Sequence, residues 1–335
     1  MTIIHIALWL LAVAVLVALA LAAFTWSTAR KVKAALPPQG RFIDAGGTRF
    51  HVVDKGEGQG KGPALLLIHG LMGQSRHFSY GVSEALAASH RVIVIDRPGS
   101  GYSPRSRQTP ADLSTQAAAV AGLLRQMGAA PAIVVGHSLG GALALKLALE
   151  HPDCVAGCVL VAPLSHLRAD AGVPSAFRAL TIRPAWLRHL FAWTLAVPGT
   201  IAGSRAVLAQ VFGPESVPPD FAMRGGGLMG LCPHQFLAGS RDMQALPDCL
   251  PALSKRYGEL RVPVRVLFGR ADAILDWREN GQALVDKLAD GKLTLVDGGH
   301  MLPVTQPRET ASFILDAARG IANPAPKPAL AGTAA

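Results

Sequence analysis

Cysteine is scarce in this chain, and the spacing of the few present excludes the motifs that cysteine usually forms. The 335 residues include four cysteines, and no two of them form a Cys-x-x-Cys pair. This spacing excludes a thioredoxin-like redox motif and a zinc-binding pattern of paired cysteines. We therefore expect no metal site, and ordinary buried thiols at Cys154, Cys158, Cys232 and Cys249.

Acidic residues are also few. The chain has 22 Asp and Glu against 32 Lys and Arg, which gives a formal net charge of +10. A charge of this size suggests an anionic partner. Nucleic acid is not favoured, because the sequence has no arginine-rich helix with interleaved aromatic residues. We expect attraction to an anionic lipid surface instead, and no nucleic-acid partner.

The N-terminus carries the longest apolar run. Residues 3–24 are apolar apart from His5 and contain no proline. As a helix, this run would be about 33 Å long, against about 30 Å for the hydrocarbon core of a bilayer. Trp9 and Trp26 lie near its two ends, where aromatic rings settle at membrane interfaces. We predict a single-pass transmembrane anchor in residues 1–30 and a proline-containing linker in residues 31–40.

A cleaved signal peptide is the competing interpretation, because the Ala-Leu-Ala at 18–20 resembles a cleavage site. Against it, the apolar run is long for a signal peptide, and no Lys or Arg precedes it. Arg30, Lys31 and Lys33 follow the run. By the positive-inside rule, this asymmetry predicts that the rest of the chain faces the cytoplasm.

Residues 41–320 alternate between strand and helix patterns. A hairpin is predicted in residues 41–54, around two adjacent glycines. Further strands are predicted at 64–69, 91–96, 132–135, 155–161, 264–269 and 293–296, and helices at 75–88, 111–127 and 308–319. This alternation predicts an α/β fold in which helices flank a mostly parallel sheet. The Pro- and Ala-rich residues 321–335 are predicted to form a disordered tail.

Residues 164–260 interrupt the alternation. Prolines recur there, and no convincing strand is present. An insertion of this size after a sheet strand is expected to be helical and to cap the carboxyl ends of the strands. A strong apolar stripe in residues 185–196 is expected to pack between cap and core, and contact with lipid is the alternative.

The most informative motif is Gly136-His137-Ser138-Leu139-Gly140. It lies between a predicted strand and a predicted helix, and it matches the G-x-S-x-G nucleophile elbow. The two glycines leave room for an abrupt turn of the backbone. The turn holds the serine hydroxyl at a helix N-terminus, where free N–H groups and the helix dipole favour negative charge. The motif therefore predicts that Ser138 is a nucleophile.

Four landmarks, taken in order, resemble the α/β-hydrolase fold superfamily and specifically its members that carry a cap. They are the loop at 69–73, the loop at 96–103, the Ser138 elbow, and an acid followed by a histidine near the end. The resemblance covers about residues 41–318. It implies the α/β-hydrolase fold and a Ser-His-Asp catalytic triad.

The resemblance also assigns the partners of the serine. A Gly-His pair at this place carries the base in the family, which points to His300. Asp272, just after a strand end, matches the position of the acid; Asp276 is its close competitor, and Asp297 is expected to be structural. The weaker rivals for the base are His69, His137, His151, His166, His189 and His234.

A tetrahedral intermediate also needs backbone N–H donors for its oxyanion. We expect these donors at Leu139, after the nucleophile, and at Leu71, in the loop that follows a buried strand. The side chain of Leu71 is expected to line the acyl pocket. Asp96 and Arg97, in the second landmark loop, are expected to make structural hydrogen bonds.

The residue at the elbow reduces the number of reaction classes that fit this chain. Epoxide hydrolases and haloalkane dehalogenases of this superfamily use an aspartate there, and epoxide hydrolases add tyrosines from the cap. This chain has Ser138, and none of its three tyrosines lies in the middle of the cap. The resemblance implies a carboxylesterase or monoacylglycerol-lipase-like hydrolase that acts on lipophilic medium-chain esters, without metal or organic cofactor.

Three other functions stay open from the sequence. The same triad serves lactone and thioester hydrolysis, and it serves cofactor-free haloperoxidase or perhydrolase activity. A membrane-anchored binding module that keeps the fold without catalysis is an alternative of a different class.

Overall fold

A computed structural model describes residues 2–56, 62–167 and 172–323. Residues 324–335 of the predicted tail lie outside the described residues. So do residues 57–61, in a glycine-rich stretch before the third strand, and residues 168–171 of the predicted cap.

An eight-stranded sheet lies at the centre of the molecule. Its strands are β1 (Arg41–Ala45), β2 (Thr48–Lys55), β3 (Leu65–Ile68), β4 (Val92–Ile95), β5 (Ala132–His137), β6 (Val155–Val161), β7 (Val264–Gly269) and β8 (Gly291–Val296). They lie side by side in the order β1-β2-β4-β3-β5-β6-β7-β8. The β1–β2 and β2–β4 pairs are antiparallel, and every other pair is parallel. The predicted hairpin and the mostly parallel sheet are confirmed.

Helices cover both faces of this sheet. The described helices are α1 (Thr2–Ala35), α2 (Val82–Ala87), α3 (Leu113–Gln126), α4 (Leu139–Glu150), α5 (Ala185–Trp193), α6 (Ala196–Phe212), α7 (Pro233–Ser254), α8 (Ala283–Val285), α9 (Leu302–Thr305) and α10 (Pro307–Ala322). Because side chains of a strand alternate between its faces, Leu66 and Ile68 pack with residues of α3 and α4, whereas Leu65 and Leu67 pack with residues of α2 and α10. The predicted α/β fold class is confirmed.

The structure divides two segments that the sequence pattern presented as continuous. The predicted helix at 75–88 is a 3-10 helix, Ser75–Phe78, followed by α2, and Gly81 between them has φ 114°. That φ is accessible to glycine and strained for other residues. The apolar stripe at 185–196 belongs to α5 and the start of α6, whose axes meet at 75°. The cap is helical, as predicted.

The N-terminal helix is longer than the predicted span. α1 runs from Thr2 to Ala35. Its end packs on the rest of the molecule, where Val32 and Leu36 contact Met229 and Cys232. By length and composition, α1 is the one single helix among the described residues that could cross a membrane, and none of its most apolar stretch is buried.

Candidate active site

The predicted site residues lie at one edge of the sheet. Ser138 follows β5, Asp272 follows β7, His300 follows β8, and Leu71 follows β3. These strands are parallel, so their carboxyl ends meet at the same edge, which is where ligands bind in open α/β sheets. The topology therefore brings four segments together that are far apart in sequence.

Ser138 occupies a strained turn between β5 and α4. Its backbone has φ 54° and ψ −121°, a conformation that L-residues rarely adopt. A Cβ atom on Gly136 would lie 2.5 Å from the carbonyl oxygen of Gly140, so no side chain fits there. The Ser138 side chain does not cap α4. Tight packing thus fixes the backbone, and the hydroxyl has no hydrogen-bond partner among the described residues.

Asp272 and His300 form a buried pair. Asp272 Oδ2 lies 2.7 Å from His300 Nδ1, and the side chains are 0% and 6% exposed. The other carboxylate oxygen, Oδ1, accepts hydrogen bonds from the backbone N–H groups of Ile274 at 2.8 Å and Leu275 at 2.9 Å. Because a carboxylate only accepts, the tautomer of the neutral ring that fits this contact has its proton on Nδ1 and its lone pair on Nε2. The ring is therefore held in the tautomer that a general base requires.

His137 attaches the His300 loop to the elbow. Its Nε2 donates to the carbonyl oxygen of His300 at 3.0 Å, and the two rings lie 5.1 Å apart between centroids. Burial, and then the neighbouring His300, hold the pKa of His137 well below its ordinary value, so the ring is neutral. His300 therefore lies beside the residue that precedes Ser138. Within the described residues, no hydrogen bond joins the Ser138 hydroxyl to the His300 ring.

The two competing aspartates have other contacts. Asp276 Oδ1 accepts a hydrogen bond from the backbone N–H of Arg278 at 2.7 Å, at the start of a short π-helix. The side chain of Asp297 is fully exposed, 3.7 Å from Arg270. Among the three acids, only Asp272 contacts His300 in the described part of the chain.

The other histidines considered from the sequence have contacts of their own. His69 Nδ1 donates to the carbonyl of Gly70 and its Nε2 accepts from the N–H of Arg97, while burial lowers its pKa to about 3. Backbone carbonyls hold His189 and His234, and His166 lies between Ser165 and Lys287. The ring of His151 has no contact that concerns the site.

The two predicted oxyanion donors flank the serine. Leu139 is the first residue of α4, and Leu71 follows Gly70, where an added Cβ would lie 2.8 Å from the Ser138 Cβ. Within the described residues, neither N–H group of this pair donates a hydrogen bond. The loop turns sharply after Leu71, since Met72 has φ 55°. Both donors are thus available beside the Ser138 side chain.

The comparisons with known proteins agree with the fold. Residues 63–206 match a family model described as alpha/beta hydrolase fold. The chain is 30% identical over 280 residues to the magnesium-chelatase 30 kDa subunit of Rhodobacter capsulatus, which covers 79% of this chain and 89% of that protein. The chain belongs to the α/β-hydrolase family.

Two further relatives of this hydrolase are informative. A pimeloyl-[acyl-carrier protein] methyl ester esterase of Neisseria meningitidis is 30% identical over 240 residues, 70% of this chain and 83% of that protein. Among solved structures, a bacterial membrane phospholipase A superimposes with a TM-score of 0.67 over 96% of this chain and 99% of that chain, at 20% identity. The second likeness is evidence for the fold alone.

Arg97 connects the cap to the loop that carries Leu71. The buried guanidinium of Arg97 donates to Asp242 of α7 at 2.9 Å, and also to the carbonyl oxygens of His69 at 3.1 Å and Gly70 at 3.2 Å. The Gly70 carbonyl and the Leu71 N–H belong to one peptide plane. Arg97 therefore fixes the orientation of a predicted oxyanion donor. Structural hydrogen bonds of Arg97 were predicted from the sequence, whereas Asp242 was not singled out.

The cap also contacts the loop that carries His300. Both carboxylate oxygens of Glu215, just after α6, accept from the backbone N–H of Gly299 at 3.0 and 3.1 Å. Gln306 donates to the same carboxylate at 3.2 Å. No sequence motif predicts this role of Glu215, because its partner Gly299 lies 84 residues away in the chain.

Apolar side chains of the cap pack on the loop that carries Leu71. Leu71 and Met72 pack against a buried cluster of cap residues, Leu180, Ala192, Ala196 and Phe236. Within the described residues, no group of three or more His, Cys, Asp or Glu side chains is arranged to hold a metal ion.

Proposed function

We propose that this α/β-hydrolase cleaves carboxylic esters through an acyl-serine intermediate. Ser138 is the nucleophile, His300 the general base and Asp272 the residue that orients and stabilises the imidazolium. The observation that carries the proposal is the 2.7 Å contact between Asp272 and His300 beside the strained turn of Ser138. This is the arrangement by which an otherwise weak hydroxyl nucleophile is activated.

In the first half-reaction, Ser138 Oγ attacks the ester carbonyl while its proton passes to His300 Nε2. The N–H groups of Leu71 and Leu139 stabilise the oxyanion. The C–O bond to the alcohol then breaks, and the alcohol leaves with the proton from Nε2. In the second half-reaction, water attacks the acyl-serine by the same route and releases the carboxylic acid.

The substrate that the surroundings favour is a lipophilic, medium-chain ester. Leu71 and the apolar cap cluster give the acyl chain a nonpolar environment. We propose that α1 anchors the protein in a membrane as a single pass, with the catalytic domain on the cytoplasmic side because Arg30, Lys31 and Lys33 follow the span. The name of one similar protein, a methyl ester esterase, supports an ester substrate.

The test is hydrolysis of a p-nitrophenyl ester series from acetate to laurate by the detergent-solubilised full chain. We expect turnover that peaks at medium chain length, and none above background for Ser138→Ala with unchanged folding. If the wild type hydrolyses no ester of the series although a fluorophosphonate probe labels it, the ester assignment is wrong, and lactones and thioesters are the next substrates to assay.

A non-catalytic role is the second candidate, and one observation favours it. The relative aligned over 280 residues carries the name of a chelatase subunit rather than of a hydrolase. A protein that only binds a partner does not need an activated serine. Failure of fluorophosphonate to modify Ser138 in the folded protein would favour this candidate.

A further inference from the structure

The cap carries an apolar surface that faces away from the domain. Among the described residues outside α1, most of the exposed large apolar side chains lie on α5, α6 and the corner between them. Trp186 is 71% exposed and Leu195 52%. We call this surface the apolar cap face; its residues are Trp186, Leu187, Leu190, Trp193, Leu195 and Ile201. Exposed apolar patches of this kind mark interaction sites.

Helix α5 is apolar on two opposite sides. Trp186, Leu190 and Trp193 are spaced by four and three residues, so they share its outer side. On its inner side Ala192 is fully buried, and Phe191 stacks on Phe236 of α7 at 5.3 Å between ring centroids. The inner side of α5 thus packs against the domain. The outer side packs on no other segment in the described part of the chain.

The position of α1 indicates what covers the outer side. α1 contacts α5 as well as the 3-10 helix Gly227–Leu231. Thr25 and Val32 of α1 are buried against the domain, whereas residues 2–24 are exposed or partly exposed. These 23 residues form a helix of about 35 Å, enough for the bilayer core. Helix α5 therefore lies beside the end of the predicted span.

Exposed basic side chains on α1 and on the cap fit an anionic lipid surface. Arg30, Lys31 and Lys33 of α1 are exposed, and so are Arg183 and Arg205 of the cap. The guanidinium of Arg30 lies 4.7 Å above the ring of Trp26, which is the kind of aromatic residue found at membrane interfaces. Basic side chains around an apolar, tryptophan-containing face are typical of helices that lie in the headgroup region.

We propose that the apolar cap face is inserted into the headgroup–acyl boundary of an anionic phospholipid leaflet, the leaflet that α1 enters. This inference rests on the proposed anchoring by α1. The face lies on the membrane rather than across it, because α5 has nine residues and is about 14 Å long. The inner side of α5 belongs to the cluster that contains Leu71, so a lipid ester reaches Ser138 along the helix that touches the leaflet.

Tryptophan fluorescence of the reconstituted full chain tests the proposal. The chain has five tryptophans, and Trp9→Phe with Trp26→Phe removes those of α1. In vesicles of phosphatidylcholine and phosphatidylglycerol with brominated acyl chains, we expect strong quenching of the remaining emission. Further replacement of Trp186 and Trp193 by Phe leaves only Trp277, whose emission we expect to be unquenched.

Equal, weak quenching with and without Trp186 and Trp193 would overturn the proposal. The anchor is tested separately, since a variant that keeps only Trp9 is quenched if α1 enters the bilayer. Neither readout depends on hydrolysis, so failure of the esterase proposal is distinguishable from failure of this one.

A comparison of hydrolysis rates is the second test of the proposal. Trp186→Ser with Leu190→Ser is expected to lower hydrolysis of an ester dissolved in vesicles several-fold and to leave hydrolysis of soluble p-nitrophenyl butyrate unchanged. The matched control is Phe42→Ser, which removes an exposed apolar side chain of β1. We expect the control to leave both activities unchanged. An equal loss of both activities in the double variant, or no loss of either, contradicts membrane insertion of this face.

Discussion

Asp242 of the cap holds the buried guanidinium of Arg97 at 2.9 Å, although the two residues are 145 positions apart. The same carboxylate binds Arg105 at 2.7 Å, and all three side chains are at most 2% exposed. Burial lowers the pKa of Arg97 and the nearby Asp242 raises it, with burial the larger effect. This ion-pair cluster connects the cap to the peptide that carries the Leu71 N–H.

Removal of the Asp242 charge should destabilise the fold. Asp242→Asn leaves two buried guanidinium groups without their counter-ion, for which we expect a loss of about 3–5 kcal/mol in the free energy of unfolding. Denaturant unfolding measures it. Asp248→Asn, an exposed acid on the same helix, is the control and should change the free energy of unfolding by less than about 0.5 kcal/mol.

Replacement of the acid that contacts His300 should abolish most activity. Asp272→Asn keeps the shape but favours the wrong tautomer of the ring, so we expect kcat to fall by about 10⁴. Asp276→Asn removes a carboxylate whose contacts among the described residues are with Arg278, through its backbone N–H at 2.7 Å and its guanidinium at 3.8 Å. Steady-state kinetics on one ester compares the two variants, and a greater loss in the Asp276 variant would refute the assignment of Asp272.

Glu215 should act on catalysis through the position of His300. Glu215→Ala removes both hydrogen bonds to the Gly299 N–H, and we expect kcat to fall by about 10-fold or more, with KM little changed, because small misplacements of a base are costly. Glu215→Gln keeps an acceptor oxygen and should restore most of kcat. A parallel loss of kcat in both variants would indicate that the charge itself matters and not the position of the loop.

One buried histidine, His69, and one partly buried histidine, His77, predict that stability decreases at acid pH. Burial lowers the pKa of His69 to about 3 and that of His77 to about 4, against 6.5 for an exposed ring. Below pH 6.5 the unfolded chain therefore binds more protons than the folded chain, and stability falls as the pH drops towards 4. Each ring contributes up to about 1.4 kcal/mol per pH unit.

Urea unfolding between pH 7 and pH 4.5 measures this dependence. His77→Phe removes one of the two rings, and Nδ1 of His77 has no hydrogen-bond partner within the described residues, so the replacement costs little in contacts. We expect a shallower decrease of stability with acid in this variant. An unchanged slope would show that His77 is not kept neutral by burial.

Local patterns explain what the sequence could predict. The elbow around Ser138 and the buried strands are encoded by neighbouring residues, because glycine placement and apolar runs act over a few positions. The pairing of Asp272 with His300 was assigned by family resemblance, and the structure brings the two side chains into contact.

Long-range contacts explain what the sequence could not predict. Asp242 contacts Arg97 across 145 residues and Glu215 contacts Gly299 across 84 residues, and no periodicity marks such pairs. The division of the apolar stripe between α5 and α6 was also missed. The 75° angle between these helices depends on how each helix packs on the domain. The stripe is apolar on both sides of the break, so its composition does not mark where α5 ends.

Covalent modification by a fluorophosphonate probe, mapped by mass spectrometry of peptides, tests most directly whether Ser138 is activated by His300. The account predicts a single adduct on Ser138 in the wild type, formed at least a hundredfold more slowly in His300→Ala and absent in Ser138→Ala. Modification of Ser138 at the same rate in His300→Ala, or no modification of Ser138 in the folded wild type, would contradict it.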